Sequence, residues 1–281
     1  MPGILYVVAT PIGNLEDVTF RALRILREVS LIAAEDTRRT SRLLQQYSIS
    51  TPTTSLHEHN ERSSSARLLG RLAAGESIAL VSDAGTPTIS DPGARLVAAA
   101  HEAGIRVEPI PGPSAAIAAV SASGFTGDEI LFLGFPPSRS KDRKSWFQRL
   151  ADEPRVLVFY EAPHRIRATL TDALEIMGDR QAVLCREMSK VHESVVKCPI
   201  SCLLATGFPE RGEFTVVLEP ASDRVVPHVG LPSNQELALE FGRITNTTAA
   251  GRRESVKVLA RKYGVSTRAV YEAVERGKNS G

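Results

Sequence analysis

Short apolar runs that stop abruptly at polar loops rich in Gly and Pro recur along this chain. The sharpest is IALVSDAGTPTISDPG, Ile78 to Gly93. A buried parallel strand has this pattern where it empties into a loop at its carboxyl end, and ligands of open α/β sheets bind at that end. Gly85 and Gly93 let backbone approach a ligand closely, while Pro87 and Pro92 stiffen the loop. Asp83 and Asp91 add negative charge, which suits a cationic or hydroxyl-rich ligand better than a bare phosphate. The plainer alternative is a tight strand–helix connection with Asp91 near a helix start.

The same rhythm runs through the first half. Strands are expected at Ile4 to Ala9, Leu31 to Ala34, Thr53 to Leu56, Ile78 to Val81 and Val107 to Ile110. Helices are expected between them: one after Asp17 or Thr19 as cap, then Thr40 to Tyr47, Ala66 to Ala74, Ala94 to Ala103 closed by Gly104, and Ala115 to Ala122. Alternation of this kind predicts a mostly parallel sheet. A second unit begins near Phe125, with strands at Ile130 to Phe135, Arg155 to Tyr160, Ala182 to Arg186 and Phe214 to Leu218, and helices at Ser140 to Leu150 and Arg167 to Met177. Its late strands lie close together with little helix between them, which predicts antiparallel pairing and a mixed sheet. The fold class is therefore α/β in two domains, 1–124 and 125–219. A Pro-rich linker at 220–233 and a basic helical appendage at 234–281 follow. In the appendage, Ser255 to Lys262 and Arg268 to Glu275 flank Gly264-Val265-Ser266. That spacing fits either a helix-turn-helix or a small helical pair that packs on the body or on a second copy.

The whole chain narrows the function classes. Its 281 residues are 42% hydrophobic and 23% charged, the composition of a soluble globular protein. A net charge of +2 does not mark a nucleic-acid binder, so any basic surface must be local. Cys185, Cys198 and Cys202 do not pattern as a disulfide framework, and no second Cys/His pair joins Cys198 and Cys202 to make a zinc site. No apolar run reaches the length of a membrane span, and MPGILYVVATPIGN lacks the basic start of a signal peptide. A cytoplasmic protein with no resident metal is expected.

The loops after the strands carry the candidate chemistry: TPIGN, EDTRRT, SDAGTP, PGPSA, FYEAPHR and REMSK. The first four should line one rim of the parallel sheet, and the last two should come from the second domain. A cleft between two domains is a common ligand site. No G-x-G-x-x-G follows the first strand and no G-x-x-x-x-G-K-[ST] occurs, which disfavours ordinary dinucleotide and P-loop binding. In HEHNE, His57 and His59 would share a face of an extended segment, but two His without a third ligand are weak grounds for a metal. Glu187, Lys190, His192 and Glu193 cluster after a strand. They are either a source of an acid or base, together with His57 and Glu58, or a solvated charged loop.

Taken together, VATPIGNLEDVTFRAL (Val8 to Leu23), AEDTRRTSRLL (Ala34 to Leu44), HEHNE, ALVSDAGTPTISDPG (Ala79 to Gly93), PIPGPSA (Pro109 to Ala115) and FYEAPHRI (Phe159 to Ile166) resemble the tetrapyrrole (corrin/porphyrin) methylase superfamily. Within it, they resemble the branch that acts on small-subunit ribosomal RNA. The likeness covers nearly all of residues 4 to 219 and fades in the tail. In REMSK, Met188-Ser189 stands where the family more often has a Leu-Thr pair.

The resemblance implies two α/β domains, S-adenosylmethionine in the cleft between them, and a homodimer. It also implies methyl transfer to the ribose 2′-oxygen of a cytidine at the decoding centre of small-subunit rRNA, with the 30S subunit as partner. It places Asp83, Gly85, Thr86, Ile89, Ser114 and Ala115 around the cofactor from the first domain, and Tyr160, Glu161, Met188 and Glu213 from the second. Glu187, Lys190 and His192 are then the catalytic candidates. Arg38, Arg39, Arg42, Arg139 and Lys141, with Arg143, Lys144 and the tail, are candidates to hold RNA. A small-molecule tetrapyrrole methylase, or a ribosome-assembly binding module without catalysis, is the alternative.

Overall fold

The uninterrupted apolar runs form the first sheet. It has five parallel strands, β1 (Ile4–Val8), β2 (Leu31–Ala34), β3 (Thr53–Ser55), β4 (Ile78–Val81) and β5 (Arg106–Ile110), in the order β3-β2-β4-β1-β5. The computed structural model describes residues 2–127, 129–221, 232–247, 252–263 and 267–278. Every residue of β2 and β4 is buried, because helices cover both faces of the sheet. Pro109, which has no N–H to donate, sits in the edge strand β5 opposite Val7.

The covering helices are α1 (Phe20–Glu28), α2 (Thr37–Gln46), α3 (Glu61–Ala73), α4 (Ala94–Glu102) and α5 (Ala115–Ser123). Leu23, Leu26 and Leu43 of α1 and α2 pack with Val8, Ile32 and Val81 on one face. Leu68, Leu72 and Leu96 of α3 and α4 pack with Leu5, Ile78 and Leu80 on the other. Each such side chain contributes about 1.5–3 kcal/mol by leaving water. Two of these helices begin earlier than the apolar periodicity predicts, whereas α4 and α5 start at the expected Ala94 and Ala115. Asp36 caps α2 by accepting the Arg38 N–H, which starts that helix at Thr37 rather than Thr40. Similarly, α3 starts at Glu61 rather than Ala66.

The second sheet is mixed. It comprises β6 (Ile130–Phe132), β7 (Val156–Glu161), β8 (Gln181–Arg186), β9 (Ser194–Pro199) and β10 (Phe214–Leu218), in the order β6-β7-β10-β8-β9. Only β6 and β7 pair in parallel; the other pairs are antiparallel, as the short spacing predicts. β6 is shorter than expected because Gly134, at φ +64°, turns the chain. β9 was not legible, since its Val195, Val196 and Lys197 are exposed on an edge strand. The seven-residue α8 (Ile200–Thr206) was missed too. With α6 (Ser140–Arg149) and α7 (Ile166–Met177), α8 encloses a core around Phe147, Phe159, Leu170, Leu203 and Val216. On the opposite face, Ala116 and Ala119 of α5 pack on Val158, Val183 and Val217. The helix that closes the first βα series is therefore seated on the second sheet, and this ties the two sheets together.

Residues 1–151 and 155–219 form one compact unit; 152–154 and 220–281 form another. In the latter, α9 (Asn234–Thr247), α10 (Arg252–Tyr263) and α11 (Thr267–Lys278) share a core of Leu237, Phe241, Leu259, Val270 and Val274. The last two helices occur where the sequence predicts a pair, and each is longer than expected. Gly264-Val265-Ser266, and residues 222–231 of the Pro-rich stretch, lie outside the described residues. Among the described residues no helix is long and apolar enough to cross a membrane.

Candidate functional site

Because β4 lies between β2 and β1, and β5 lies beyond β1, the loops that leave their carboxyl ends meet along one rim. They are fastened to one another. Thr10 and Gly85 exchange backbone hydrogen bonds of 2.9 and 3.0 Å, joining the β1 and β4 loops. Thr86 Oγ1 donates to the Pro113 carbonyl at 3.2 Å, joining the β4 and β5 loops. The Asp36 N–H donates to Asp83 Oδ1 at 2.9 Å, and the Asp83 N–H to Glu35 Oε2 at 3.3 Å, joining the β2 and β4 loops. Thr88 and Ser90 both take left-handed conformations, at φ +70° and +68°, which L side chains rarely adopt outside constrained loops. Glu61 of α3 accepts the Gly93 N–H at 2.9 Å and so caps α4 from outside its own sequence.

The second sheet brings its own rim opposite. The antiparallel register sets Phe214 beside both Glu161 and Arg186, so the ends of β7 and β8 and the start of β10 converge. Between the rims lies a cavity of about 400 Å³, within the range of small-molecule sites. Its wall includes Asp83, Gly85, Thr86, Ile89, Ser114 and Ala115 from the first rim, and Tyr160, Glu161 and Glu213 from the second. All nine are residues that the family resemblance places around the cofactor. Met188 is not in this wall. It lines a neighbouring groove with Ser114, Ala118 and Val195, because the chain turns away after β8. The structure adds Ile12, Glu35 and Phe135 to the cavity wall, and Asp91 of the loop after β4 joins them. Glu35 directly follows β2 in sequence, and that position was the available signal for it; Asp91 stands ten residues after β4, in the loop whose negative charge the sequence already marks.

The cavity wall is acidic. Burial pushes the Glu35 carboxyl above its ordinary range. Burial, with Glu35 nearby, pushes Asp91 up to about 6. Arg39 offsets part of this charge, its Nη1 lying 3.4 Å from Asp83 Oδ2. Glu161 is committed to the framework, because its carboxylate accepts from the Thr169 hydroxyl at 2.5 Å, the Ala162 N–H at 2.8 Å and Arg165 Nη2 at 3.2 Å. The Tyr160 hydroxyl accepts the Ala116 N–H at 3.2 Å, holding the start of α5 on the second sheet, and burial raises its pKa.

The catalytic candidates separate. Lys190 Nζ lies 2.9 Å from both Glu187 Oε1 and Glu213 Oε2, and Glu187 Oε1 also accepts the Glu213 N–H at 2.9 Å. For Glu187, burial works upward, but the Lys190 and Glu213 hydrogen bonds outweigh it and hold the carboxyl low. For Lys190, burial works downward and the two carboxylates outweigh it, so its pKa is raised. Lys190 faces a side cavity of about 480 Å³ that shares Arg39, Asp83 and Glu213 with the first. His192 is exposed and lines neither. Glu193 accepts the Ser189 N–H at 2.5 Å. Ser189 Oγ in turn accepts the Asn14 N–H at 3.0 Å, a bond that a Thr hydroxyl in its place would also make. A Cβ on Gly13 would lie 2.5 Å from Lys190 Cγ, so that position requires glycine for the loops of the two sheets to meet.

His57 and His59 do not share the face of a strand as expected. They lie in a turn between β3 and α3, with ring centroids 6.0 Å apart. Among the described residues no three His, Cys, Asp or Glu side chains gather as a metal site. Of the basic candidates, Arg38, Arg39, Arg42, Arg139 and Lys141 are exposed. Arg38 bridges Asp36 at 2.8 Å, and its hydrogen bonds pull that carboxyl down to about 2. Arg143 is not available to RNA: its side chain is 4% exposed and paired with Asp172 at 2.6 Å. Lys144 is held by Glu175 at 2.6 Å.

The family model for Tetrapyrrole (Corrin/Porphyrin) Methylases matches residues 4–203. A Pseudomonas aeruginosa protein named Ribosomal RNA small subunit methyltransferase I is 50% identical over 221 residues, covering 77% of this chain and 78% of its own. Proteins of the same name from Haemophilus influenzae and Bacillus subtilis are 42% and 41% identical over 97% and 96% of this chain, and 96% and 94% of their own. The likeness therefore runs through the helical tail, where the motifs alone fade. Among solved structures, a diphthine synthase (TM-score 0.59, 16% identity) covers 77% of this chain and 90% of its own. A uroporphyrin-III-C-methyltransferase from Thermus thermophilus (0.55, 20%) covers 78% and 93%. At these identities the two structures speak for the fold alone. Fold, motifs and relatives agree, and the chain belongs to the tetrapyrrole (corrin/porphyrin) methylase family, in the group of the ribosomal RNA small subunit methyltransferase I proteins.

Proposed function

We propose that this protein transfers a methyl group from S-adenosylmethionine to the ribose 2′-oxygen of a cytidine in small-subunit rRNA. The reading includes action at the decoding centre on an assembled or partly assembled 30S subunit, as a cytoplasmic homodimer. The observation that carries it is the acidic cavity at the carboxyl ends of β1, β2, β4 and β5, closed by the second sheet, in a chain whose relatives bear an rRNA methyltransferase name. The cavity fits the donor in chemistry as well as in volume. Glu35, Asp83 and Asp91 favour a cation, while Ile12 and Ile89 supply apolar wall.

When bound, S-adenosylmethionine supplies a methyl carbon on an already activated leaving group. The side chains have the remaining tasks of positioning and charge. Asp83 and Asp91 favour positive charge in the cavity, and Arg39 stands between it and the side cavity. Lys190, held protonated between Glu187 and Glu213, is suited to stabilise negative charge developing on a hydroxyl oxygen. Glu187, held low by the same contacts, is a poor proton acceptor near neutrality, so the pair acts by electrostatics rather than as a general base.

A labelled-methyl assay on free rRNA, small subunits and whole ribosomes tests the reading. Incorporation is expected in small subunits at an alkali-resistant ribose, with the enzyme sedimenting as a dimer. No incorporation into any of the three would sink it.

Donor binding should also depend on pH. Below about 6 the Asp91 carboxyl is neutral in the free protein, and a cation binds better to its ionised form. Affinity therefore rises by about tenfold between pH 5 and pH 7 by titration calorimetry. Asp91→Asn flattens the profile. An unchanged profile in that variant would exclude Asp91 from the effect.

A further inference from the structure

Two large apolar side chains of the cavity wall are left open to solvent, Phe135 at 53% and Ile89 at 43% exposed. Phe135 is held there. Gly134 before it turns at φ +64°, and its carbonyl accepts the Tyr160 N–H at 2.8 Å. After it, the Pro136 carbonyl accepts Arg165 Nη2 at 2.5 Å, and the Ser138 carbonyl accepts Arg143 Nη1 at 3.1 Å. The ring is thus carried on a backbone pinned on both sides. It stays against Tyr160, ring centroids 5.6 Å apart and planes tilted by 59°. Arg139 and Lys141 follow on the same segment, both exposed. The cavity interior, lined by Glu35, Asp83 and Asp91, repels phosphate, so an RNA backbone must be held outside it.

We propose that Phe135 is a stacking platform for an unpaired nucleobase at the target site, with Arg139 and Lys141 contacting the flanking phosphates. A fixed exposed ring followed by cations is the chemistry that holds single-stranded nucleic acid: the ring takes a base face and the cations take the backbone. Pre-fixing the ring also lowers the ordering cost of binding. The inference rests on the RNA reading above and adds to it the residue that receives the base.

The test compares Phe135→Ala, Phe135→Leu and Phe135→Trp in the full chain, measuring methyl transfer to small subunits and, separately, calorimetric binding of S-adenosylmethionine. Phe135→Ala is expected to lower kcat/KM for the subunit by roughly 5- to 150-fold, mainly through KM, with cofactor Kd within about twofold of wild type. Phe135→Leu, which keeps apolar volume without a π face, should behave like Ala, and Phe135→Trp should restore activity. Unchanged transfer in Phe135→Ala, or full activity in Phe135→Leu, overturns the inference while wild-type activity leaves the RNA reading standing. A parallel loss of cofactor affinity overturns it by assigning the ring to the donor. A wild-type protein that methylates no ribosomal substrate removes the RNA reading and this inference with it.

Discussion

Replacing Asp172 with alanine is expected to lower stability by about 3–5 kcal/mol, the cost of leaving a buried charge without its counter-ion. Arg143 enters from α6 and Asp172 from α7, with side chains 4% and 8% exposed. The guanidinium meets the carboxylate through Nε at 2.8 Å and Nη2 at 2.6 Å, and Ser140 Oγ adds a bond of 3.0 Å. Removing the carboxylate strands the guanidinium in a site that water does not reach. Melting by circular dichroism should show Tm lower by about 6–20 °C. The double variant Arg143→Met, Asp172→Leu should recover much of this, since well-packed apolar residues replace a buried pair with little loss. A single variant melting within about 2 °C of wild type would show that the pair is not structural. The same guanidinium holds the Ser138 carbonyl, so the damage would reach the segment that carries Phe135.

Asp83→Ala should weaken S-adenosylmethionine binding by roughly 10- to 150-fold, the loss of a charge-assisted contact worth about 1.5–3 kcal/mol. Asp83 leaves β4 at the centre of the rim, where its carboxylate accepts the Asp36 N–H and faces Arg39. The substitution removes charge from the cavity and frees the β2 loop. Asp83→Asn separates these effects, because its amide oxygen can still accept the Asp36 N–H while the charge is gone. Calorimetry should place the Asn variant between wild type and Ala if both effects operate. Wild-type affinity in Asp83→Ala would remove this residue from the donor site.

Legibility followed burial. Leu31–Ala34, Ile78–Val81 and Phe214–Leu218 are wholly buried strands, and each was readable to the residue from apolar continuity alone. β9 is an edge strand whose pairing with β8 stabilises it more than its own pattern does, and no local signal marks it. The helix starts were misplaced where a cap lies outside the apolar stripe, as with Asp36 before α2. In the site, nine of the ten residues expected around the donor share one wall; Met188 does not, and His192, a catalytic candidate, lines neither cavity. Their motif places them in the correct loop, but the left-handed turns at Glu187 (φ +51°) and Ser189 (φ +60°) decide which way that loop runs.

Composition and periodicity by themselves determined the α/β class, the parallel order of events in the first half, the antiparallel close of the second, and the loops that carry the chemistry. These are properties of short stretches, set by which side chains must leave water and which backbone needs Gly or Pro. Only the tertiary structure decided that α5 lies on the second sheet, that Arg143 is a buried counter-ion rather than an RNA contact, and that Glu35 and Asp91 join Asp83 in one acidic wall. Each of those facts depends on groups far apart in sequence sharing a low-dielectric space, and no local pattern records such a meeting.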